Sequence, residues 1–428
     1  MSLKTILFLI VTLKFIYEMM TLYLVWKQRE RPLPACVAPI YSNERYAKFI
    51  AYKKEYRKLN ILSESLAFVL NSIYIFSNFF AYFQHPNPYL SFFQTLLAIT
   101  LIDAITNIPM EYYATFVIEE KYGLNKQTKK EFFKDTCLEQ GMNLLVQSLL
   151  FSFLIFVGIH MPDWTKNFTI SYKESFFLIL ILLLCFFVLS FLLSLLSLVT
   201  LRLQYHFHEL QPCPLKTKIE SYLKECKKNI RHIKVYDESK KSNSKNAFLL
   251  KLGFYREFGI ADNFLEENSE EELLAVLLHE IGHLKHKKNI WNYINYGISF
   301  CFIGFLIWLL PNGNLLVEAI EQINTCFYLE YTNPYLIFVI FTLCLQPILF
   351  FYTMFKNYIS RKEEKEADYN SVDHGYGQAL IKTFTKISQD ELIDVNPHSW
   401  IEFLEYDHPG MATRISYIQA RMESISRK

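Results

Sequence analysis

The stretch Glu272-Leu-Leu-Ala-Val-Leu-Leu-His-Glu-Ile-Gly-His-Leu-Lys-His286 carries two histidines four residues apart. On an α-helix His279 and His283 lie one turn apart on the same face, so both imidazole rings can reach one metal ion. Glu280 follows the first histidine, where its carboxylate can hold a water molecule beside that ion. This spacing is the HExxH signature of zinc-dependent hydrolysis. It requires a helix, so the stretch predicts the local fold and the chemistry together.

The residues around the two histidines favour a helix. Ser269 and Glu272 stand three residues apart, which is the spacing of a capping box at a helix N-terminus. Apolar residues then recur at helical spacing and form one stripe: Leu273, Leu274, Leu277, Leu278 and Ile281. The sequence therefore predicts an amphipathic helix that carries both histidines on one face.

The composition indicates a membrane protein. Of the 428 residues, 52% are hydrophobic and 17% are aromatic. The formal net charge of +2 argues against a polyanionic partner, so no nucleic acid is expected. The eight cysteines are scattered without a CxxC pair, which is typical of reduced, structural thiols.

Seven apolar stretches are long enough to cross a bilayer as helices, which takes about 20 residues each. They are 3–26, 61–83, 89–116, 139–160, 174–202, 289–310 and 334–357. The first contains Lys14 and Glu18 near its middle, and no small-residue cleavage site follows it. We therefore expect it to be a membrane span and not a cleaved signal peptide.

The charges of the connecting loops predict the orientation in the membrane. Lysine and arginine are concentrated in the C-terminal tail and in 27–58, 121–134 and 203–288. Such loops stay on the cytosolic side. Few or none occur in the alternate loops 85–89, 161–172 and 311–334. We therefore expect an N-terminus outside and a C-terminus in the cytosol.

One long polar insert lies between the fifth and sixth predicted spans. Within it, His232–Tyr236 and 247–260 are rich in β-prone residues, and Gly253 marks a turn. The sequence thus predicts a small sheet ahead of the HExxH helix. Ionisable residues also occur inside the spans: Glu64, Asp103 and Glu111. They are costly against lipid, so either pairing between helices or a hydrated cavity is expected.

A catalytic zinc ion takes three protein ligands and keeps a fourth position for water. The third ligand is expected just beyond the seventh span, on the same side of the membrane as the HExxH stretch. There Glu364 and Asp368 stand four residues apart, on one face of a helix. At this spacing one carboxylate can bind the metal while the other orients a ligand histidine. Glu363 and Glu366 remain alternatives. His286, which lies among lysines, is expected to be exposed.

Peptide hydrolysis also needs a base for the attacking water and a donor for the developing oxyanion. Glu280 would take the proton of the water. The segment Asp407-His-Pro-Gly410 offers His408 as the donor where a helix begins, and Arg414 follows six residues later. Ordinary surface roles for His408 and Arg414 are the alternative.

Taken together, these residues resemble the type I CAAX prenyl protease family, membrane zinc peptidases that remove the last three residues after a prenylated cysteine. The resemblance covers nearly the whole chain. Its most specific part is Phe116-Val-Ile-Glu-Glu-Lys-Tyr-Gly-Leu-Asn-Lys-Gln-Thr128, similar to the family's stretch after the third span. Asn246-Ala247 resembles the family's substrate-holding edge strand. The family pattern Ser-Arg-x-x-Glu-x-x-x-Asp falls on Ser360, Arg361, Glu364 and Asp368.

The resemblance implies a role for each candidate residue. It selects Glu364 as the third zinc ligand over its neighbours, with Asp368 behind the ligands. The family has a His-Pro pair with an arginine six residues after the histidine, and these positions are His408 and Arg414 in this chain. The resemblance therefore implies that His408 is an oxyanion donor and that Arg414 contacts substrate. One zinc ion per chain is expected, bound by His279, His283 and Glu364. Substrate-binding residues would be Asn246, Ala247 and Arg414.

The predicted fold is mainly α, a seven-span transmembrane helical bundle with a zincin-like cytosolic α+β metalloprotease domain. The resemblance further implies that the bundle encloses a water-filled chamber. The predicted regions are 1–202 with five spans, 203–288 with the sheet and the HExxH helix, 289–357 with spans six and seven, and 358–428 with the C-terminal helices. Expected partners are a C-terminally prenylated peptide or protein and the lipid bilayer.

Two other functions remain open. One is a membrane quality-control metalloprotease that needs no prenyl group, and the other is a non-catalytic membrane scaffold. An intact Glu280 argues against the scaffold. The sequence departs from the family's pattern at 205–214 and at Leu284, where a tryptophan is common. The expected compartment is the endoplasmic reticulum or nuclear envelope in a eukaryote, or the plasma membrane in a bacterium, with the active site facing the cytosol.

Overall fold

A computed structural model describes residues 1–160, 191–192, 194–225, 230, 232–252, 255–285 and 313–427. Long helices dominate this part of the chain. Four long helices precede the sheet: α1 (Leu3–Arg29), α2 (Asn43–Phe76), α3 (Pro88–Tyr113) and α4 (Lys129–His160). The described residues 194–204 are also helical and lead into the sheet. A π-helical turn, Ala114–Glu119, and a short helix, Glu120–Tyr122, continue α3 to Gly123. Gly123 has a φ of 74°, a left-handed conformation that suits glycine and ends the helix.

The remaining helices surround and follow the sheet. They are α5 (Pro214–Glu225), α6 (Asp262–Glu267), α7 (Glu270–Lys285), α8 (Gly313–Phe327), α9 (Pro334–Asp373), α10 (Gly377–Asp390), α11 (Ser399–Glu405) and α12 (Met411–Ser426). The helices α3 and α9 begin alike, because Asn87 and Asn333 each accept hydrogen bonds from the next backbone N–H groups and a proline follows. The predicted predominance of helix is confirmed.

Four described helices are long and apolar enough to cross a membrane: Leu3–Arg29, Asn43–Phe76, Pro88–Tyr122 and Pro334–Asp373. These helices contain the whole of the first, third and seventh predicted spans and most of the second. The predicted span 139–160 lies in α4, which is not among the four. The predicted span 289–310 and most of 174–202 lie outside the described residues, so the seven-span count stays a prediction.

One predicted limit is wrong. The second span was expected to reach residue 83, but α2 ends at Phe76 because Ser77 adopts an extended conformation that cannot continue a helix. The aromatic run Phe79–Phe83 then forms a 3₁₀ helix that buries Phe80 against Phe327. The loop expected over 311–334 contains helix α8, whose Ile323 joins the same buried cluster.

A cavity of about 280 Å³ lies among α1, α2, α3, α8 and α9. Asp103, one of the ionisable residues expected in the spans, lines this cavity together with Asn71 and Asn107. This placement supports a hydrated cavity over helix–helix pairing for Asp103. The larger chamber that the resemblance implies stays a prediction.

The small sheet ahead of the HExxH helix is present. It consists of β1 (Phe207–Glu209), β2 (His232–Tyr236), β3 (Ala247–Leu252) and β4 (Tyr255–Ala261), in the order β1-β2-β4-β3. The strands β2 and β4 run parallel, and the two outer pairings are antiparallel. Strand β3 therefore lies at an edge, and it contacts α7. Phe258 and Ile260 of β4 are fully buried in one core with Leu274 and Leu277 of α7.

The start of α7 is held by the predicted capping box. The Ser269 N–H donates to Glu272 at 2.9 Å, and the Glu272 N–H donates to the Ser269 hydroxyl at 3.4 Å. Lys382 and Lys386 of α10 also reach the Glu272 carboxylate, at 3.0 and 2.7 Å. Burial by itself would raise the pKa of Glu272, but these charge-assisted contacts lower it to about 2. This glutamate thus joins α7 to α10.

We predict that Glu272→Gln lowers the thermal unfolding midpoint of the purified protein at pH 7. The contacts that depress this pKa contribute on the order of 1–2 kcal/mol of stability, because both lysines are partly exposed and solvent screens their charges. This contribution is present above the ordinary glutamate pKa and is lost as the pH falls from about 4.5 towards 2. The difference in unfolding midpoint between variant and wild type should therefore become smaller as the pH falls over that interval. Glu271→Gln, at an exposed neighbouring position, is the control and should change the midpoint little. An equal effect of both variants at every pH would contradict the prediction.

Candidate metal centre

Helix α7 crosses α9 at two small residues. A Cβ atom at Gly282 would lie 2.7 Å from the Ala367 Cα, so only glycine permits the observed approach. The Asn370 side chain of α9 donates to the Leu278 carbonyl of α7 at 2.6 Å. The close crossing therefore brings the histidine-bearing face of α7 against the acidic face of α9.

Three potential ligands meet at this crossing. The Nε2 atoms of His279 and His283 are 3.3 Å apart. The His279 Nε2 lies 3.4 Å from Glu364 Oε2, and the His283 Nε2 lies 3.2 Å from Glu364 Oε1. The ligand atoms of all three residues lie within 4.8 Å of one another.

These separations fit a zinc ion. Tetrahedral bonds of about 2.0–2.1 Å place neighbouring donor atoms about 3.3 Å apart. Glu364 is 5% exposed, and its Oε2 is buried without a hydrogen-bond partner among the described residues. A buried carboxylate oxygen requires a partner, and a cation between the three donors would supply it. Two imidazoles and one carboxylate are also the donor set of many catalytic zinc sites.

Behind the donors lies the fully buried carboxylate of Asp368. It contacts the Nδ1 of His279 at 2.8 Å. Arg414 of α12 donates two hydrogen bonds to it, at 2.9 and 2.7 Å, and the Tyr417 hydroxyl donates a third. With Nδ1 of His279 engaged in this way, its Nε2 faces the other two donors. Asp368 thus lies behind His279, and its role in orienting that ligand stays a prediction.

The electrostatics of the centre favour a positive charge between the donors. Burial by itself would lower the pKa of His279, but contacts with Asp368 and Glu364 raise it to about 9. Burial would likewise raise the pKa of Glu364, yet the two histidines and Arg414 hold it well below its usual range. The carboxylates therefore stay ionised and stabilise a cation at this position, whether that is a proton or a metal ion.

Of the two predicted catalytic residues, Glu280 adjoins the centre along α7, and His408 reaches it from another segment. Glu280 follows His279 on α7 and is half-buried. His408, in the turn before α12, places its Nε2 3.3 Å from Glu364 Oε1, while its Nδ1 contacts Asp407 at 2.8 Å. The His408 side chain is 56% exposed, so it lies on the open side of the centre.

The other predicted residues take the following positions. Glu363 is half-buried and Glu366 is exposed, and neither belongs to the ligand group. His286 lies outside the described residues. Arg414, expected to contact substrate, is buried and bonded to Asp368. It therefore supports His279 through that carboxylate, and its contact with substrate stays a prediction.

Asn246 is exposed at the start of the edge strand β3, and Ala247 is buried. The Ala261 N–H donates to the Asn246 carbonyl at 2.9 Å. Hydrogen-bonded positions alternate along an antiparallel pair. The backbone groups of Ala247 and Leu249 therefore point away from β4, towards the open edge.

The sequence interpretation missed Gly282, Ala367 and Tyr417. One signal was available for the first two, because Gly282 follows His279 by three residues and Ala367 follows Glu364 by three. Small residues at that spacing beside ligands permit a close helix crossing. Tyr417 stands three residues after Arg414, on the same face of α12.

Two protein-family profiles match most of the chain. Residues 22–199 match the family profile described as "CAAX prenyl protease N-terminal, five membrane helices". Residues 211–422 match the profile of "Peptidase family M48", and this match contains every residue of the centre. The chain belongs to peptidase family M48.

Relatives of this M48 peptidase occur in fungi and plants. It is 28% identical over 328 residues to "Probable CAAX prenyl protease 1" of Schizosaccharomyces pombe, covering 76% of this chain and 64% of that protein. It is 25% identical over 406 residues to "CAAX prenyl protease 1 homolog" of Arabidopsis thaliana, covering 90% of each chain. The crystal structure of S. mikatae Ste24p has the same fold, with a TM-score of 0.81 at 21% identity over 98% of this chain and 99% of that one. Membership of this family implies a metal-dependent peptidase in a membrane.

We predict that Glu364→Ala abolishes or strongly weakens zinc binding, because it removes one of the three donors. Glu366→Ala, an exposed residue on the same helix, is the matched control and should keep one zinc ion per chain. Elemental analysis of the purified variants measures both. The choice of ligand is wrong if Glu364→Ala retains its metal and Glu366→Ala loses it.

Proposed function

We propose that this M48 peptidase is an integral membrane zinc endopeptidase that removes the last three residues after a prenylated cysteine. The observation that supports it most directly is the meeting of His279, His283 and Glu364 at zinc-like separations. The relatives that bear the name CAAX prenyl protease support the substrate class.

His279, His283 and Glu364 would hold the zinc ion. When bound, the ion supplies Lewis-acid chemistry: it polarises the scissile carbonyl and activates water for attack. Glu280, next to His279 on α7, would accept the proton of the attacking water and deliver it to the departing amine. Asp368 keeps the His279 ring in its orientation throughout.

His408 would stabilise the oxyanion that forms on the substrate. Its Nε2 lies beside Glu364, and its side chain is exposed, so a peptide that approaches the centre from the open side would meet it. A donor aimed at the developing charge contributes mainly in the transition state. His408 is therefore expected to affect turnover more than substrate binding.

The edge strand β3 would bind the peptide as an added strand. Among the described strands only β4 pairs with it, so the outward backbone groups of Ala247 and Leu249 are available to a substrate main chain. Asn246 lies exposed at the same edge. Such pairing aligns a flexible C-terminal tail without regard to its side chains.

The proposed setting is a seven-span bundle with the zinc centre on the cytosolic side. Helix α9 runs from the predicted outer end at Pro334 to Asp373, so the centre lies on the same continuous helix as the seventh span. The loop charges support the cytosolic side. In a eukaryotic cell we propose the endoplasmic reticulum or nuclear envelope, because that is where the resemblance places such enzymes.

The proposed activity is tested with two peptides that differ only in a farnesyl group on the cysteine. Purified protein should cleave the farnesylated peptide after the cysteine and the unmodified peptide far more slowly. Glu280→Gln should keep its zinc and lose on the order of 10² or more in turnover, since the base is missing. Equal cleavage of the two peptides would favour the quality-control protease. Near wild-type turnover by Glu280→Gln would contradict the mechanism, and no cleavage of either peptide by zinc-loaded wild type would favour the scaffold.

We predict that Leu249→Pro weakens substrate binding without unfolding the sheet. Proline lacks the outward N–H but is tolerated at an edge position whose N–H does not serve the sheet. The KM for the farnesylated peptide should rise about tenfold, which corresponds to one lost hydrogen bond to substrate. Leu249→Ala, which keeps the N–H, is the control. The strand proposal is wrong if both variants bind peptide like the wild type.

A further inference from the structure

The turn that carries His408 is held by a side chain at each end. At its start, the Tyr406 carbonyl accepts a hydrogen bond from the Arg361 side chain. At its end, the Gly410 N–H donates to the Glu402 carboxylate at 2.9 Å. Between these two points the His408 side chain is 56% exposed, so little of the protein packs against the ring. The position of the ring therefore depends on the backbone of the turn.

Glu402 caps helix α12 from outside that helix. Gly410 is the N-cap residue of α12 and has no side chain that could bond to the first turn. In a capping box, a glutamate or glutamine three residues into the helix accepts the N–H of the N-cap residue. That position holds Thr413 here, and its hydroxyl donates to the same Glu402 carboxylate at 3.5 Å. Glu402 of α11 thus supplies the acceptor that the sequence of α12 lacks, and its negative charge suits a helix N-terminus.

The packing around Gly410 is close. A Cβ atom at this position would lie 2.7 Å from the Pro397 Cγ and 3.0 Å from Glu402 Oε2. Pro409 and Gly410 are both buried, and the proline ring fixes the backbone φ between His408 and Gly410. The direction in which the His408 side chain leaves the backbone therefore follows from the position of Gly410.

Helix α11, which carries Glu402, is attached to the helix that carries Glu364. Arg361 of α9 donates to the Glu402 carbonyl at 2.9 Å, and Asn357 of α9 donates to the last carbonyl of α11 at 2.9 Å. Arg361 precedes Glu364 by three residues, on the same face of α9. The proposed metal ligand and the turn with His408 thus share one support, which accounts for the 3.3 Å between His408 Nε2 and Glu364 Oε1.

We propose that Glu402 is a positioning residue for catalysis, which holds His408 where its imidazole meets the oxyanion of the substrate. This inference rests on the proposed function, in which His408 donates to that oxyanion. Glu402 acts through the Gly410 N–H and not through substrate. A donor to the oxyanion contributes mainly in the transition state, so its displacement lowers kcat and leaves KM unchanged.

The test is a double-mutant cycle with zinc-loaded, full-length protein and the farnesylated peptide. Glu402→Ala should lower kcat about tenfold at unchanged KM and zinc content, because small displacements of a catalytic group are costly. Glu402→Gln keeps an oxygen that accepts the Gly410 N–H, so its kcat should lie within about threefold of the wild-type value. In a His408→Ala background, Glu402→Ala should have no further effect, because the group that it positions is gone.

A matched control and a second measurement accompany the cycle. Glu423→Ala removes an exposed carboxylate from the other end of α12 and should keep the wild-type kcat. Amide hydrogen exchange over 407–411 should be faster in Glu402→Ala than in the wild type and in Glu423→Ala, because the Gly410 N–H has lost its acceptor.

The outcomes separate the inference from the proposed function. The inference is wrong if Glu402→Ala turns over peptide like the wild type. It is also wrong if Glu402→Ala lowers kcat by the same factor with and without His408, since that pattern indicates a loss of folded protein. If His408→Ala leaves kcat unchanged, the inference fails while the peptidase stands, and if the wild type cleaves no peptide, both fail. Gly410→Ala, whose Cβ would displace Glu402, provides the same comparison should Glu402→Ala fold poorly.

Discussion

The buried carboxylate of Asp368 is the interaction on which the centre depends. It belongs to α9, contacts a histidine of α7 and accepts hydrogen bonds from Arg414 and Tyr417 of α12. Three helices distant in sequence are thereby tied at one charged group. Removing one partner would leave an uncompensated charge in the interior, which typically costs 3–5 kcal/mol. The orientation of His279 and the position of α12, with His408 before it, therefore follow from the same carboxylate.

The crossing of α7 and α9 connects the membrane part of the chain to the chemistry. Helix α9 has 40 residues, which at 1.5 Å per residue is about 60 Å, and it carries the apolar stretch at one end and Glu364 near the other. A single helix holds one ligand at a set distance from the bilayer. The absence of a side chain at Gly282 allows α7 to approach close enough for its histidines to meet that ligand.

The segment that follows α3 explains how the membrane helices hold the edge strand β3. Asn125 pairs with Ser242 in an isolated antiparallel bridge, and the Asn243 side chain donates to the Gly123 carbonyl at 2.7 Å. These contacts anchor the loop that leads into β3. The backbone N–H of Lys245, just before β3, donates to Glu391 at 2.9 Å. The strand proposed to bind peptide is thus fixed from both the membrane side and the C-terminal helices.

The sequence by itself determined the elements that depend on local spacing. The capping box at Ser269, the amphipathic HExxH helix and the strands around Gly253 follow from residues within a few positions of one another, and the structure has the same capping box, helix and strands. The predicted end of the second span was wrong. Ser77 and the aromatic run after it belong to one apolar stretch, and hydropathy does not show where a helix ends within such a stretch.

Only the tertiary structure decided which carboxylate of α9 faces the histidines and what Arg414 contacts. Spacing along α9 left Glu363, Glu364 and Glu366 open, and the resemblance chose among them by analogy. The choice depends on how α9 is rotated against α7, which the Gly282–Ala367 contact sets across more than 80 residues of chain. The sequence around Arg414 indicates only an ordinary surface residue, because its partner Asp368 lies 46 positions away in the chain. Such pairings arise from packing between helices, and no local pattern in a sequence encodes them.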